Sequence, residues 1–141
     1  MSEGNILTIQ SDPKNLATGR RFIERHARQA GFDDMTVSQI VLAVDEALAN
    51  IIRHSYGMKP DGEIEFKIKS SKEDFTVSVR DYGKPCDPAK IKPRPLDEIR
   101  PGGLGTHFMR TVMDEVKYLC KNPGTELVMV KKRASPPRSP T

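Results

Sequence analysis

The sequence predicts a two-layer α+β sandwich with a largely antiparallel sheet. Its 141 residues amount to one domain's worth of chain, enough to bury a single core. Two helical patterns dominate the first half, and segments of period two recur in pairs after them, without strict βαβ alternation.

Residues 5–10 alternate weakly and read as a short strand. Ser11-Asp12-Pro13 opens a helix, with Asp12 as N-cap and Pro13 in the first helical position. Leu16, Phe22, Ile23, Ala27 and Ala30 form its buried stripe, and Gly31 closes it. Val37, Ile40, Val41, Val44, Ala47, Leu48, Ile51 and Ile52 then recur at three- and four-residue steps, which predicts a long amphipathic helix over 36–54. Thr36 and Gln39 have capping-box spacing at its start, and Gly57 with Pro60-Asp61-Gly62 stops it. Ile64, Phe66 and Ile68 alternate with charged residues, as do Phe75, Val77 and Val79 with polar ones, so the two stretches form a hairpin. A third helix carries Phe108, Met109, Val112 and Met113. Two strands around 117–121 and 125–132, joined at Asn122-Pro123-Gly124, complete the set.

Residues 82–101 break every pattern and hold five of the eleven prolines, as functional lids and binding loops do. The net charge of +4 and pI of about 9.1 raise nucleic-acid binding as a possibility, but Lys131, Lys132, Arg133 and Arg138 lie in the last eleven residues. The rest carries nineteen bases against nineteen acids. A basic, proline-rich end without interleaved aromatics reads as a frayed tail rather than a nucleic-acid arm. No run of ~18 uninterrupted apolar residues and no leader pattern is visible, so neither membrane insertion nor export is expected. Cys86 and Cys120 are too few and too far apart for a disulfide framework or a zinc site, which fits a reducing cytoplasm, with Cys120 as a packed thiol. His26 has no visible partner and is expected at the surface.

Three features sit where packing does not require them. Glu46 and Asn50, four residues apart on the long helix, project from one face, with Ala43, Ala47 and Ala49 small enough to leave room beside them. Such a pair suits general-base work and a hydrated cation, or simply the solvated edge of the helix. Asp81-Tyr82-Gly83 ends a strand; its aspartate can accept a hydrogen bond from an exocyclic amine, and Asp-x-Gly is also a turn signal. Gly102-Gly103-Leu104-Gly105 precedes a helix, where free amide N–H groups and the helix dipole favour a phosphate, or where a hinge is needed.

The order of these features carries a resemblance. Val44-Asp45-Glu46-Ala47-Leu48-Ala49-Asn50-Ile51-Ile52-Arg53-His54, Val79-Arg80-Asp81-Tyr82-Gly83, Gly102-Gly103-Leu104-Gly105, Val112-Met113-Asp114-Glu115-Val116 and Gly124-Thr125 resemble the N, G1 and G2 boxes of the GHKL ATPases, which have the Bergerat ATP-binding fold. Within that superfamily the chain is most similar to bacterial anti-sigma-factor serine/threonine-protein kinases.

The resemblance implies binding of ATP or ADP with Mg²⁺. It makes Glu46 the base that orients or deprotonates the attacking hydroxyl and Asn50 the Mg²⁺ ligand, with Arg53 and His54 one turn on, facing phosphate or capping the helix. Asp81 would bind the adenine amino group, with Gly83 beside the ring and Thr125 supporting the pocket. Gly102, Gly103, Leu104, Gly105 and Thr106 would lie along the phosphates, and Lys90, Lys92, Arg94 and Arg100 of the lid are candidates to neutralise the γ-phosphate. His107 stands where the family usually has an apolar residue, as an exposed helix residue or a polar contact near the phosphates, and Lys84-Pro85-Cys86 stiffens the start of the lid. The implied domain is 1–133 with a lid over 84–101, followed by a disordered tail at 134–141. The implied partners are a sigma factor and an anti-anti-sigma protein of the STAS fold that is phosphorylated on serine, with the chain a cytoplasmic homodimer contacting neither nucleic acid nor membrane. The alternative is a nucleotide-responsive protein-binding module without transfer activity.

Overall fold

A computed structural model describes residues 5–83 and 103–133, with residues 103–107 described as backbone. Strand β1 (Ile6–Gln10) leads through a 3₁₀ turn (Pro13–Asn15) into α1 (Leu16–Gln29), then α2 (Asp34–Asn50), which continues as a π-helical turn (Ile51–Ser55). After β2 (Glu63–Ser70) and β3 (Asp74–Asp81) come α3 (Gly103–Val112), β4 (Glu115–Cys120) and β5 (Thr125–Lys132). The five strands form one sheet in the order β1-β2-β3-β5-β4, and every neighbouring pair is antiparallel.

Local chemistry sets the element ends. The Asp12 carboxylate accepts from the Lys14 backbone N–H with Pro13 in the first turn, as the sequence predicts. Gly31 closes the end of α1 at φ 94°, donating its N–H to the Arg28 carbonyl. The cap of α2 differs from expectation: Asp33 accepts from the Thr36 backbone N–H at 2.8 Å, so the helix starts earlier than the Thr36/Gln39 box indicates. A carboxylate at that position satisfies a free N–H and faces the positive end of the helix dipole.

One face of the sheet is covered. Ile64, Phe66 and Ile68 of β2, Phe75, Val77 and Val79 of β3 and Leu127 and Met129 of β5 alternate between buried and less buried neighbours. They join Phe22, Ile23 and Ala27 of α1, Val37, Ile40, Val44 and Leu48 of α2 and Met109 and Val112 of α3 in one cluster. By length and composition the continuous helix Asp34–Ser55 is apolar enough to cross a membrane, but the residues that make it so fill this cluster.

Three expectations are corrected. His26 is buried, 9% exposed, with its ring 4.6 Å from that of Phe22, because it follows Phe22 and Ile23 on the inward face of α1. Lys131, Lys132 and Arg133 do not belong to a frayed end. Lys131 Nζ donates to the Val112 carbonyl at the end of α3, the Lys132 N–H donates to Asp114, and the Arg133 N–H to the Glu73 carbonyl. The pairing of β5 with β3 continues through Lys132, so the backbone carries these bases into the sheet whatever their charge. Cys120, half-buried at the end of β4, is disulfide-bonded rather than a packed thiol.

The segment before β2 is clasped to the end of β1. Ser11, fully buried, donates its hydroxyl to the Lys59 carbonyl and accepts from the Gly62 N–H, while its own N–H bonds to the Gly62 carbonyl. Replacing Ser11 with Ala removes the partner of two backbone groups at a part-buried place. The expected outcome is a loss of about 1–3 kcal/mol in unfolding free energy, read from urea denaturation with an unchanged m-value.

Candidate functional site

The site is built around Asp81, the last residue of β3. Strand alternation places it on the inward face with Val77 and Val79, so a carboxylate that is 2% exposed stands at the rim of the core. Three donors hold it. The Gly83 N–H reaches Oδ1 at 3.0 Å, the Ser55 hydroxyl reaches Oδ2 at 3.4 Å, and the Thr125 backbone also donates to it. Thr125 is there because Asp81 and Thr125 are paired in the β3–β5 register. Burial pushes the Asp81 carboxyl above its ordinary value, against the pull of these hydrogen bonds and of Arg80.

Two glycines allow this approach. Gly124 has φ 88°, and a Cβ on it would run into the Asp81 carbonyl oxygen, so the β4–β5 turn closes on the end of β3 only with glycine. At Gly83 a Cβ would meet the Ser55 carbonyl oxygen. In the described residues the space of the missing Gly83 side chain is taken by the protein's own π turn.

The π turn joins Asp81 to the helix bearing the other candidates. Glu46 and Asn50 are both half-buried on α2, one turn apart, and Ser55 lies at the end of the continuation. Single π turns inside helices recur at functional sites. Arg53 and His54 are exposed, and the Arg53 guanidinium donates to Asn50 Oδ1. Ala43 and Ala47 are buried in the core and Ala49 is half-buried.

Helix α3 packs against α2, and it begins at Gly103, so Gly103, Leu104, Gly105 and Thr106 are its first turn rather than a loop before it. The N–H groups of a first turn have no partner within the helix. The side chains of Leu104, Thr106 and His107, together with Gly102 and the lid residues Lys90, Lys92, Arg94 and Arg100, lie outside the described residues. The structure thus brings Asp81, Gly83 and Thr125 into contact and joins Asn50 to Arg53. Glu46, Asn50 and the start of α3 sit on two packed helices.

Sequence reading missed Ser55 and Tyr56. The Tyr56 hydroxyl donates to the Glu63 carbonyl and accepts from the Tyr82 N–H at 2.7 Å; burial raises its pKa, so it stays a phenol. The signal was an aromatic residue in a stretch where loop chemistry otherwise prevails, Ser55-Tyr56-Gly57. A shallow groove of about 350 Å³ lies elsewhere, between α1 and α2. Its charges pair with one another, Arg20 with Asp45 at 2.9 Å and Arg28 with Glu24 at 3.3 Å.

A carboxyl whose native pKa lies above its unfolded value binds protons more tightly when folded. Its contribution to stability is full below the ordinary value of 3.8 and is lost as pH rises through the native pKa. The difference in unfolding free energy between the native chain and Asp81→Asn is therefore expected to move against the native chain as pH is raised from 3.8 through the raised value. Paired urea titrations check it; a difference that does not change with pH, or that changes in the opposite sense, contradicts the burial argument.

Comparison with known proteins identifies the family and the fold. Residues 9–131 match the family described as histidine kinase-like ATPase domain. A protein of Listeria innocua named serine-protein kinase RsbW is 31% identical over 139 residues, covering 93% of this chain and 88% of its own. An anti-sigma F factor of Clostridium novyi is 33% identical over 104 residues, 70% of this chain and 73% of that one. Among solved structures, the RsbU and RsbW domains of a Mycobacterium tuberculosis protein superpose with a TM-score of 0.64 at 16% identity, covering 89% of this chain and 30% of that chain. A blue-light activated histidine kinase domain of Erythrobacter litoralis superposes with a TM-score of 0.56 at 19% identity, over 82% and 59%. These two superpositions carry the fold, and the family match together with the Listeria relative carries the membership: the chain belongs to the histidine kinase-like ATPase domain family, within the GHKL ATPases.

Proposed function

We propose that this chain is an ATP-dependent serine/threonine-protein kinase and anti-sigma factor, which phosphorylates an anti-anti-sigma protein of the STAS fold and sequesters a sigma factor. The observation that carries the nucleotide part is the buried Asp81 carboxylate, held by Gly83, Ser55 and Thr125 with acceptor capacity left for an adenine amino group. The names of its relatives, serine-protein kinase and anti-sigma F factor, support the kinase and sigma-factor parts.

In this reading each residue has a bounded task. Asp81 accepts the adenine amino proton, with Gly83 and Thr125 fixing the carboxylate's direction. Asn50 offers a hard amide oxygen, which would suit Mg²⁺; among the described residues no three His, Cys, Asp or Glu side chains gather as a metal site. When bound, Mg²⁺ neutralises phosphate charge. The first-turn N–H groups of Gly103, Leu104 and Gly105 donate to phosphate oxygens, and the lid bases Lys90, Arg94 and Arg100 add positive charge. Glu46 orients the serine hydroxyl of the partner and takes its proton as the oxygen attacks the γ-phosphorus, with ADP leaving. The added phosphate changes which partner is held, through charge at the interface. The domain spans 1–133 with its lid at 84–101 and a tail at 134–141, and it acts as a cytoplasmic homodimer.

A second reading, a nucleotide-responsive binding module without transfer, draws on one observation: Asn50 Oδ1 is already bonded to Arg53. Incubation with labelled ATP, Mg²⁺ and STAS-domain candidates separates the two. The kinase reading expects label on the partner, with Glu46→Ala slowing transfer by roughly 10²–10⁴-fold while nucleotide binding stays within a few-fold. Stable nucleotide binding with no labelled partner supports the module. Transfer at the native rate by Glu46→Ala removes Glu46 as the base.

A further inference from the structure

Tyr56 is a hub that neither the family match nor the proposed chemistry uses. It directly follows the π turn, and its single hydroxyl makes two backbone bonds to separate elements, donating to the Glu63 carbonyl at the start of β2 and accepting from the Tyr82 N–H just past β3. The ring is seated as firmly as the hydroxyl. A Cβ at Gly62 would strike its Cδ1, Cε1 and Cζ atoms, so Gly62 leaves the space the ring fills. Gly62 is in turn clasped by the buried Ser11.

The peptide that Tyr56 holds is the one that orients Asp81. The Asp81 carboxylate receives the Gly83 N–H across a two-residue turn whose middle N–H, that of Tyr82, is bound to the Tyr56 hydroxyl. Ser55, the neighbour of Tyr56 in the chain, gives its hydroxyl to the other carboxylate oxygen and sets its carbonyl where a Cβ of Gly83 would be. Two consecutive residues after the helix that carries Asn50 therefore grip the turn 81–83 from both sides.

We propose that Tyr56 is a positioning residue for purine selectivity: its hydroxyl fixes the 81–83 turn so that the Asp81 carboxylate faces a 6-amino group. This rests on the nucleotide reading of the Asp81 site. Without the hydroxyl, the Tyr82 N–H loses its acceptor and the turn gains other conformations, which weakens a directional bond to the base and leaves donors to the phosphates untouched.

The test compares ATP with ITP, whose purine carries oxygen in place of the 6-amino group, and with inorganic tripolyphosphate, each titrated calorimetrically into the full chain. For Tyr56→Phe the preference for ATP over ITP is expected to fall roughly five- to tenfold, with tripolyphosphate affinity unchanged and faster hydrogen exchange at the Tyr82 amide. Gly62→Ala, which displaces the ring but keeps the hydroxyl, is expected to lower the same preference. A native chain that prefers ATP and a Tyr56→Phe variant with equal preference overturns the inference alone. Equal losses for ATP, ITP and tripolyphosphate also overturn it, since general destabilisation does not choose among ligands. A native chain without preference for ATP over ITP overturns the nucleotide reading and this inference with it.

Discussion

The arrangement depends on keeping one carboxylate at the edge of an apolar core. Asp81 continues the inward alternation of Phe75, Val77 and Val79, so the strand that builds the core delivers an acid to its rim. Burying that group is unfavourable unless donors surround it, and the donors come from three places in the chain: the π turn, the turn after β3 and the start of β5. Each is tied to the others through Asp81, and glycine at 83 and 124 is the steric condition for their meeting.

Helix α2 shows how one element serves core and site together. Its apolar stripe covers the sheet through Val37, Ile40, Val44 and Leu48, which fixes the helix in rotation. Glu46 and Asn50 then emerge at a defined angle on the half-buried border, and the change to π geometry after Asn50 brings Ser55 to Asp81. Because α3 packs on the same helix, its glycine-rich first turn belongs to the same layer as Glu46 and Asn50. A single core therefore sets the relative positions of segments far apart in sequence.

Much of this was legible in the residues. Alternation in 63–69 and 75–79 gave the hairpin, and the three- and four-residue steps from Val37 to Ile52 gave α2, because those periods directly report burial on one face. The pairing of Thr125 with Asp81 followed from resemblance alone, and the register of β3 with β5 supplies its physical reason. What escaped was long-range or geometric. The π turn has no signature in apolar period, and the roles of Ser55 and Tyr56 lie in backbone partners distant along the chain. His26 was misplaced because a polar ring on the inward face breaks the composition rule while obeying the helical one. The proline-rich stretch and its bases lie outside the described residues, so the lid reading rests on sequence.

The central claim is that Asp81, the end of α2 and the start of α3 form one nucleotide pocket. Its most direct measurement is an amide chemical-shift titration of the full chain with Mg²⁺ and a non-hydrolysable ATP analogue. The account expects the largest changes at Asn50, Asp81, Gly83, Gly103, Gly105 and Thr125, saturating together with one affinity. Changes concentrated instead along the groove between α1 and α2, at Arg20, Arg28 and Asp45, would contradict it.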